Sequence, residues 1–367
     1  MERKPRILFL ATLPPPVHGS SVVSQQIKES ALINKNFDCD YINLATSRKM
    51  EERRVACAKL GRFISSYSKT FWKLLTRKYD LCYISLTCHG VGFIKDAPFA
   101  LLCRLFRKKL VIHQHNKGMS KDVNRWPYRW LMPVVYKNAK VILLSWRLYP
   151  DIERIVPREN VLICPNGIKL VDSHIKKNTE NEIPHLLFLS NLIESKGVIV
   201  LLDALKLLAY KGLSFHCDFV GGETKEIDAK RFACEVEKRH LNNYVFYRGR
   251  KYGFEKDDVM AQSDVFVFPS TEDCFPLVLL EAMSHRLPIV TTTEGAIPDE
   301  VSDGVNGLIC EREDSQSLAS CLEVLLKNPD MRRTLGEEGY RILREKFTTE
   351  KFEENLEKVF LECLMNN

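Results

Sequence analysis

Two acidic residues, Asp273 and Glu281, stand eight positions apart between two apolar runs that predict buried β-strands, Val265–Phe268 and Pro288–Thr291. A helix is predicted to open near Phe275, which places Asp273 in the preceding loop and Glu281 inside the helix. In a parallel sheet, ligands bind beyond the carboxyl ends of the strands, where loops lead into helices. Carboxylates there accept hydrogen bonds from vicinal hydroxyls, and helix-start amides favour phosphate oxygens. The spacing therefore favours a sugar-nucleotide site.

Candidate cations follow other predicted strands of the same half. Lys196 lies in LSNLIESKG, residues 189–197, at the start of a predicted helix. There it could neutralise a diphosphate together with the positive end of the helix dipole. Arg250 follows Gly249 in a second turn. The plainer interpretation is a solvated surface lysine and a βαβ unit whose acids only cap helices.

The order of these elements resembles the donor-binding pattern of retaining glycosyltransferases of family 4, which have the GT-B fold. That family carries PSxxEGFGxxxLEAMAxGxPVV and then a GGxPE loop, where this chain has PSTEDCFPLVLLEAMSHRLPIV and then EGAIPDE. Asp273 stands at the first Glu of the family's E-x7-E, Glu281 matches the second, and Pro298-Asp299 matches the last loop. The resemblance is dense from about Pro165 to Gly307 and thin before it.

The resemblance implies roles for the matching residues. Asp273 would bind hexose hydroxyls, Glu281 ribose hydroxyls and Lys196 the diphosphate. Backbone amides would line the sugar at four positions, Cys274, Phe275, Pro276 and Leu277. Pro276 has no N–H to donate, and Asp273 is shorter than the family's Glu.

The chain departs from the family where an Arg usually grips the diphosphate, because Asn191 stands there. Asn191 can donate a hydrogen bond but supplies no charge. Arg250 is the best candidate to replace that cation. It follows Gly249, whose backbone would border the nucleotide base in the family.

Two segments of the first half are candidate parts of the site. His18-Gly19-Ser20 joins the first strand to its helix, where Gly19 permits close approach to a ligand and Ser20 could cap the helix. His113 and His115 end another strand and share one face of it. The resemblance places His115-Asn116 beside the donor sugar, where the histidine would form hydrogen bonds and stabilise charge. His113 is a weaker match to the same position. A plain turn and a buried, hydrogen-bonded histidine are the simpler interpretations.

The resemblance implies catalysis without a metal or other cofactor, and transfer with retention by a front-face route. In that route the departing phosphate accepts the acceptor's proton. The two histidines lack a third ligand at suitable spacing for zinc. Asp38-Cys39-Asp40 is formally a DxD motif, but it precedes a strand of the first half and is discounted as a metal site.

Composition narrows the class of partner. Residues 1–168 contain 29 Lys and Arg against 12 Asp and Glu, a net +17, and the remainder has 25 against 35, a net −10. A basic half indicates an anionic partner. No nucleic-acid-binding motif is present, so an anionic membrane surface or a lipid-linked phosphate acceptor fits better. The stretch Arg53–Lys78 interleaves basic with aromatic and aliphatic residues, as a helix in a membrane interface does. Packing of its apolar face on the sheet is the alternative.

Length and patterning predict the fold. The 367 residues are enough for two domains. Apolar strands alternate with helices in both halves, which predicts α/β architecture with two doubly wound Rossmann-like domains facing a cleft, as in GT-B. The predicted domains are 1–168, acceptor-binding, and 169–346, nucleotide-sugar-binding, with a C-terminal helix in 347–367 crossing back to the first domain.

Three observations favour a cytoplasmic enzyme at the inner face of a membrane. No apolar run is long enough to span a bilayer, the N-terminus resembles a first strand more than a signal peptide, and the 12 cysteines form no CxxC pair. The predicted function is transfer of a hexose from a nucleoside-diphosphate sugar to a lipid-linked or polysaccharide acceptor. A sugar-nucleotide 2-epimerase of the same fold and a non-catalytic sugar-nucleotide-binding protein stay open as alternatives.

Overall fold

A computed structural model of the chain describes residues 3–15, 17–46, 56–171 and 182–365. It divides into a first unit, residues 1–166 with 349–367, and a second unit, residues 167–348. The boundaries predicted after residues 168 and 346 lie two residues from these divisions.

The first unit is built on a parallel sheet with strand order β2-β1-β3-β4-β5-β6. Its strands in the described residues are β1 Arg6–Ala11, β2 Asp38–Asn43, β3 Leu81–Ser85, β4 Leu110–His113, β5 Lys140–Leu143 and β6 Val161–Ile163. The helices between them are α1 Gly19–Glu29, α2 Ala31–Asn36, α3 Ala56–Thr76, α4 Gly90–Leu105, α5 Met119–Asp122 and α6 Tyr128–Tyr136. Helices cross back over the sheet because parallel neighbours cannot be joined by a tight turn.

The second unit repeats this plan with the order β12-β11-β10-β7-β8-β9. Its strands are β7 His185–Leu189, β8 His216–Val220, β9 Val245–Gly249, β10 Val265–Phe268, β11 Ile289–Thr291 and β12 Gly307–Ile309. Its helices are α7 Val198–Tyr210, α8 Ala229–Glu237, α9 Phe254–Gln262, α10 Leu277–Ser284, α11 Ile297–Glu300, α12 Ser315–Lys327 and α13 Pro329–Lys346. Strand order reverses between β7 and β10, which is where ligands bind in sheets of this kind.

The last helix, α14 Thr349–Met365, belongs to the first unit, so the predicted return of the chain is confirmed. Phe360 of this helix is fully buried. Its ring packs edge-on against Phe9 at 5.7 Å, Phe37 at 5.7 Å and Tyr83 at 5.9 Å between ring centroids. The C-terminal helix thus completes the core of the first unit.

Replacing Phe360 by Ala is expected to destabilise the first unit by about 3–5 kcal/mol, because the change empties a well-packed aromatic site. Calorimetric unfolding should show the transition of this unit moving to lower temperature. The exposed neighbour Leu361 is the matched control, and Leu361→Ala should leave that transition almost unchanged. Equal shifts in the two variants would contradict this packing.

Two predicted elements are wrong in extent. The sequence after the first strand predicts one helix over Ser20–Leu32, but the structure breaks it at Ser30, whose ψ of 118° leaves the helical region. The Ser30 side chain accepts a hydrogen bond from the backbone N–H of Ile33 and so starts α2. The apolar run before the second half predicts a strand over Asn160–Ile168 that ends in an Asn-Gly turn, whereas the structure confines the strand to β6, Val161–Ile163.

The helix predicted within Arg53–Lys78 is α3, and it is apolar on two sides. Leu74 is buried, and the rings of Phe63 and Tyr67 pack on Phe99 of α4. Five large apolar residues of α3 are nevertheless exposed: Leu60, Ile64, Phe71, Trp72 and Leu75. Arg53 and Arg54 lie outside the described residues. Among the helices that are described, none is long and apolar enough to cross a bilayer.

Candidate active site

Lys196 and Asp273 meet where the strand order of the second sheet reverses. Lys196 follows β7, and Asp273 follows the neighbouring strand β10. The Lys196 Nζ lies 2.6 Å from Asp273 Oδ2 and 2.6 Å from the Glu272 carbonyl oxygen. Both side chains of the ion pair are about four-fifths buried, with 20% of each exposed. The predicted cation and the first predicted carboxylate therefore form one polar centre at the carboxyl edge of the sheet.

Backbone contacts fix the loop that carries Lys196. The Thr271 N–H donates to the Ser195 carbonyl at 2.8 Å, which ties the loop after β7 to the loop after β10. Gly197 follows Lys196 with a φ of +83°, and a Cβ added there would lie 2.3 Å from the Pro269 carbonyl oxygen. Only glycine fits this left-handed position and this close approach.

Gly197→Ala is expected to push the Lys196 loop away from Pro269. The strain of a left-handed alanine adds about 1–2 kcal/mol to the steric clash. We expect a lower melting temperature and at least about tenfold weaker binding of nucleoside diphosphates. The control is Gly212→Ala, since Gly212 also has a positive φ, +74°, but open space around its Cβ position. That variant should bind nucleotide normally, and an equal loss in both would contradict the role given to Gly197.

The amide of Cys274 is already engaged. It donates to Asp273 Oδ1 at 2.9 Å, and the Cys274 carbonyl accepts from the Ala296 N–H at 2.8 Å. Phe275 is buried with its ring 5.7 Å from that of Phe347. Of the amides expected to line the sugar, that of Cys274 thus serves the loop itself. Pro276 and Leu277 start α10.

Glu281, the second predicted carboxylate, lies on α10 and pairs with a residue that the sequence analysis did not single out. Its Oε1 is 2.6 Å from the Nζ of Lys256 on α9. About a quarter of each side chain is exposed, 26% for Glu281 and 24% for Lys256. The Glu281 side chain is therefore about three-quarters covered, and its carboxylate can still accept hydrogen bonds on its open side.

Asn191, Gly222 and Arg250 form a second cluster at the same edge. The Asn191 Oδ1 accepts a hydrogen bond from the Gly222 N–H at 3.0 Å. A Cβ added to Gly222 would lie 1.9 Å from Arg250 Nε, so the guanidinium lies against the Gly222 backbone. Arg250 is exposed and forms no ion pair with any described residue. The structure thus places a cation in the neighbourhood of Asn191, and Gly249 before it has a φ of +67°.

Sequence reasoning missed Glu294 and its cation. Glu294 is 1% exposed, its carboxylate pairs with Arg312, and it also accepts from the Asp273 N–H at 3.4 Å. Gly295 then approaches the Asp273 carbonyl so closely that a Cβ would lie 2.4 Å away. The loops after β10 and β11 are therefore locked together. The position of Glu294 directly after a buried strand was the available signal.

Glu300, at the end of α11, is a second missed carboxylate. It is 2% exposed, and neither of its oxygens has a hydrogen-bond partner among the described residues. Burial, and then the charges of Asp273 and Asp299, raise the pKa of this carboxyl well above its ordinary value. The protonated form is therefore favoured in the folded protein.

In the first unit, His18 of the loop after β1 caps the N-terminus of α1. The Ser21 N–H donates to His18 Nδ1 at 3.2 Å, and Ser21 Oγ accepts from the His18 N–H at 2.9 Å. The prediction that Ser20 caps α1 is wrong, because α1 begins at Gly19 and Ser20 already lies inside it. The Ser20 hydroxyl lies 3.0 Å from His18 Nδ1.

His113 and His115 lie together beneath this loop. Their ring centroids are 4.0 Å apart, and His113 Nδ1 lies 2.8 Å from the Tyr83 hydroxyl. Burial, and then the charge of His18, lower the pKa of His115 to about 3. The imidazole is therefore neutral at neutral pH, so it can form hydrogen bonds but supplies no charge. Asn116 accepts from the Cys88 N–H at 3.2 Å and so braces the loop after β3.

The two acids of the formal DxD motif are paired with cations. Asp38 lies 2.6 Å from Arg6 Nε, and Asp40 lies 2.5 Å from Lys73 Nζ and 2.9 Å from Arg77 Nη1. Across the part of the chain that the structure describes, no group of three His, Cys, Asp or Glu side chains is arranged to hold a metal ion.

Comparison with known proteins identifies the second unit. Residues 171–342 match the family described as glycosyl transferases group 1. A relative by sequence is the capsular polysaccharide biosynthesis glycosyltransferase CapM of Staphylococcus aureus, 25% identical over 53% of this chain and 52% of that protein. The chain thus spans about half the length of this relative.

Solved structures share the fold of the whole chain. Sucrose-phosphate synthase of Thermosynechococcus elongatus superposes with a TM-score of 0.77 at 18% identity, over 99% of this chain and 100% of that one. The Anabaena protein HepE, solved in complex with UDP, gives 0.73 at 16% identity over 97% and 100%. The predicted GT-B class is confirmed. The second unit thus matches the group 1 glycosyl transferases over residues 171–342, and the chain as a whole has the GT-B fold.

Proposed function

We propose that this enzyme transfers a hexose from a nucleoside-diphosphate sugar to a lipid-linked or polysaccharide acceptor. The observation that carries the proposal is the contact between Lys196 and Asp273 at the strand-order reversal of the second sheet. A cation and a carboxylate placed there suit the two halves of such a donor, a diphosphate and a polyhydroxyl ring. HepE, which has the same fold, was solved with UDP bound.

The second unit holds the donor in this proposal. Lys196 contacts the diphosphate, Asp273 the hexose hydroxyls and Glu281 the ribose hydroxyls. Arg250 supplies the charge that Asn191 lacks, because its guanidinium lies against the backbone to which Asn191 is hydrogen-bonded. Gly249 borders the base. The Lys196 ammonium is bonded to Asp273, so a bound phosphate must share it.

Catalysis proceeds without a metal ion in this proposal, since protein cations can stabilise the departing diphosphate electrostatically. The transfer retains the anomeric configuration, and the phosphate itself accepts the acceptor's proton. His115 forms a hydrogen bond to the sugar as a neutral imidazole.

The first unit holds the acceptor, and the enzyme works at the inner face of a membrane. Its net charge of +17 over residues 1–168 favours an acceptor that carries phosphate. CapM, similar in sequence, is named for capsular polysaccharide biosynthesis.

A thermal-shift screen tests the donor class. A ligand that binds only the folded state raises the melting temperature by mass action. We expect a shift with one nucleoside diphosphate and its sugar, unchanged when EDTA is present. No shift with any of them, or a shift abolished by EDTA, would contradict the proposal. Release of free sugar without acceptor would favour the epimerase alternative.

A further inference from the structure

Helix α6 and the turn before it expose an unusual set of large apolar side chains. Trp126 is 80% exposed, Trp130 65% and Val134 51%. Trp130 and Val134 are four positions apart and so lie on one side of the helix, and Trp126 is exposed in the turn that leads into it. The opposite side of α6, with Met132, Val135 and Tyr136, is buried. The helix therefore has an apolar face on the outside in addition to the one that it packs inward.

Basic residues accompany this face. Arg125, Arg129 and Lys137 are exposed, and the Arg129 guanidinium lies 4.9 Å from the ring centroid of Trp130. Tryptophan beside arginine places an amphipathic ring and a cation at the same height on the protein surface. This combination suits the headgroup region of an anionic bilayer.

The face continues across the neighbouring helices. Helix α4 packs between α6 and α3. Its Phe93 ring lies 6.0 Å from Tyr128 of α6, and its Phe99 ring lies 5.4 Å from Phe63 of α3, between centroids. Exposed apolar residues of these two helices extend the surface, namely Leu60, Ile64, Trp72 and Leu75 of α3 and Leu105 of α4.

The charge of this surface favours an anionic partner. Residues 56–138 contain 16 Lys and Arg against three Asp and Glu. Of these three acids Asp96 and Asp122 are buried, and Asp80 is paired with Arg3 at 2.7 Å. Helices α3, α4 and α6 thus present no exposed carboxylate within the described residues. An apolar and uniformly basic surface is complementary to anionic lipid, with about 1 kcal/mol per basic residue near the bilayer.

We propose that the surface formed by α3, α4 and α6, anchored by Trp126 and Trp130, binds an anionic bilayer. This inference names a binding surface that the transfer reaction does not require, and it can hold if the proposed donor is wrong. Because β4 and β5 are parallel, α6 runs from the carboxyl edge of the first sheet back to its amino edge. Trp126 and Trp130 therefore anchor the bilayer at the edge where His113 and His115 lie, within reach of a lipid-linked acceptor.

Co-sedimentation with vesicles tests the inference. One set of vesicles is phosphatidylcholine, and the other is phosphatidylcholine mixed with an equal amount of phosphatidylglycerol. We expect the protein to sediment with the anionic vesicles, with binding weakened by salt. The double variant Trp126→Ser/Trp130→Ser should lose about tenfold or more of its partition into them, since two indole rings no longer leave water. Tyr210→Ser, at a 93% exposed aromatic of α7, should partition like the unaltered protein.

Several outcomes would overturn the inference. The first is equal binding of the protein to neutral and anionic vesicles, and the second is equal partition of the double variant and the unaltered protein into anionic vesicles. The third is a dimer in sedimentation that the double variant abolishes, because it would assign the surface to a second copy of the chain. Melting temperatures must match among the three proteins, and the shift with nucleoside diphosphates must persist in the double variant. A protein that binds vesicles but no nucleotide would refute the proposed donor and leave this surface in place.

Discussion

Lys196→Ala is expected to weaken the binding of nucleoside diphosphates by roughly 10- to 100-fold. This factor corresponds to the free energy of one charge-assisted hydrogen bond. Its effect on kcat should be about 10²- to 10³-fold, because the lysine stabilises charge that grows on the departing diphosphate. Calorimetric titration with the nucleotide found in the thermal-shift screen measures the first effect, and turnover with the matching sugar nucleotide measures the second.

Two further variants separate binding from folding. Lys196→Arg keeps the charge and should recover part of the affinity, although the planar guanidinium does not replace the ammonium closely. Lys206→Ala, on the exposed side of α7, should bind and turn over normally. Because the Lys196–Asp273 pair is about four-fifths buried, its loss should also lower the free energy of unfolding by about 1–3 kcal/mol, so the melting temperature of each variant is measured alongside binding. If Lys196→Ala bound nucleotide as tightly as Lys206→Ala, the diphosphate site would be elsewhere.

Glu300→Met is expected to stabilise the second unit, and more so as the pH rises. The raised pKa of Glu300 makes the folded state bind a proton that the unfolded state has lost. The contribution of Glu300 to the free energy of unfolding is therefore greatest below the ordinary pKa of glutamate. It falls as the pH increases toward the folded pKa, by about 1.4 kcal/mol for each pH unit in that interval. Methionine removes this pH-dependent loss of stability. It also removes a buried polar group without a hydrogen-bond partner, whose burial costs about 1–3 kcal/mol.

Denaturant unfolding at pH 5 and pH 8 checks this result. The variant should be more stable than the unaltered protein at both values, with the larger difference at pH 8. Glu237→Met, at an exposed position of α8, is the control and should give the same small change at each pH. A Glu300→Met protein less stable than the original at pH 8 would show that the carboxylate is ionised and paired in the folded protein.

The fold followed from the sequence because both sheets are parallel and covered by helices. Buried strands such as β10, whose residues are all buried, appear as uninterrupted apolar runs. The predicted limits Val265–Phe268 agree with those of β10 in the structure. Breaks inside helical patterns were not predictable in this way, since the Ser30 break depends on a local hydrogen bond that competes with the helix.

The positions of site residues could be predicted where they depend only on the end of a strand and on the type of residue that follows it. Lys196 and Asp273 were expected at the same edge, and the structure places them 2.6 Å apart. Their partners were not predictable, because the pairing of Glu281 with Lys256 and of Glu294 with Arg312 depends on how adjacent loops pack. Burial of Glu300 escaped notice for a similar reason, since its helix, α11, is only four residues long and shows no periodicity.

The most direct test is a crystal structure of the enzyme with the nucleoside diphosphate that gives the largest thermal shift. The account predicts the diphosphate within hydrogen-bonding distance of the Lys196 ammonium, and the ribose hydroxyls on the Glu281 carboxylate. A nucleotide that touches neither side chain would contradict it.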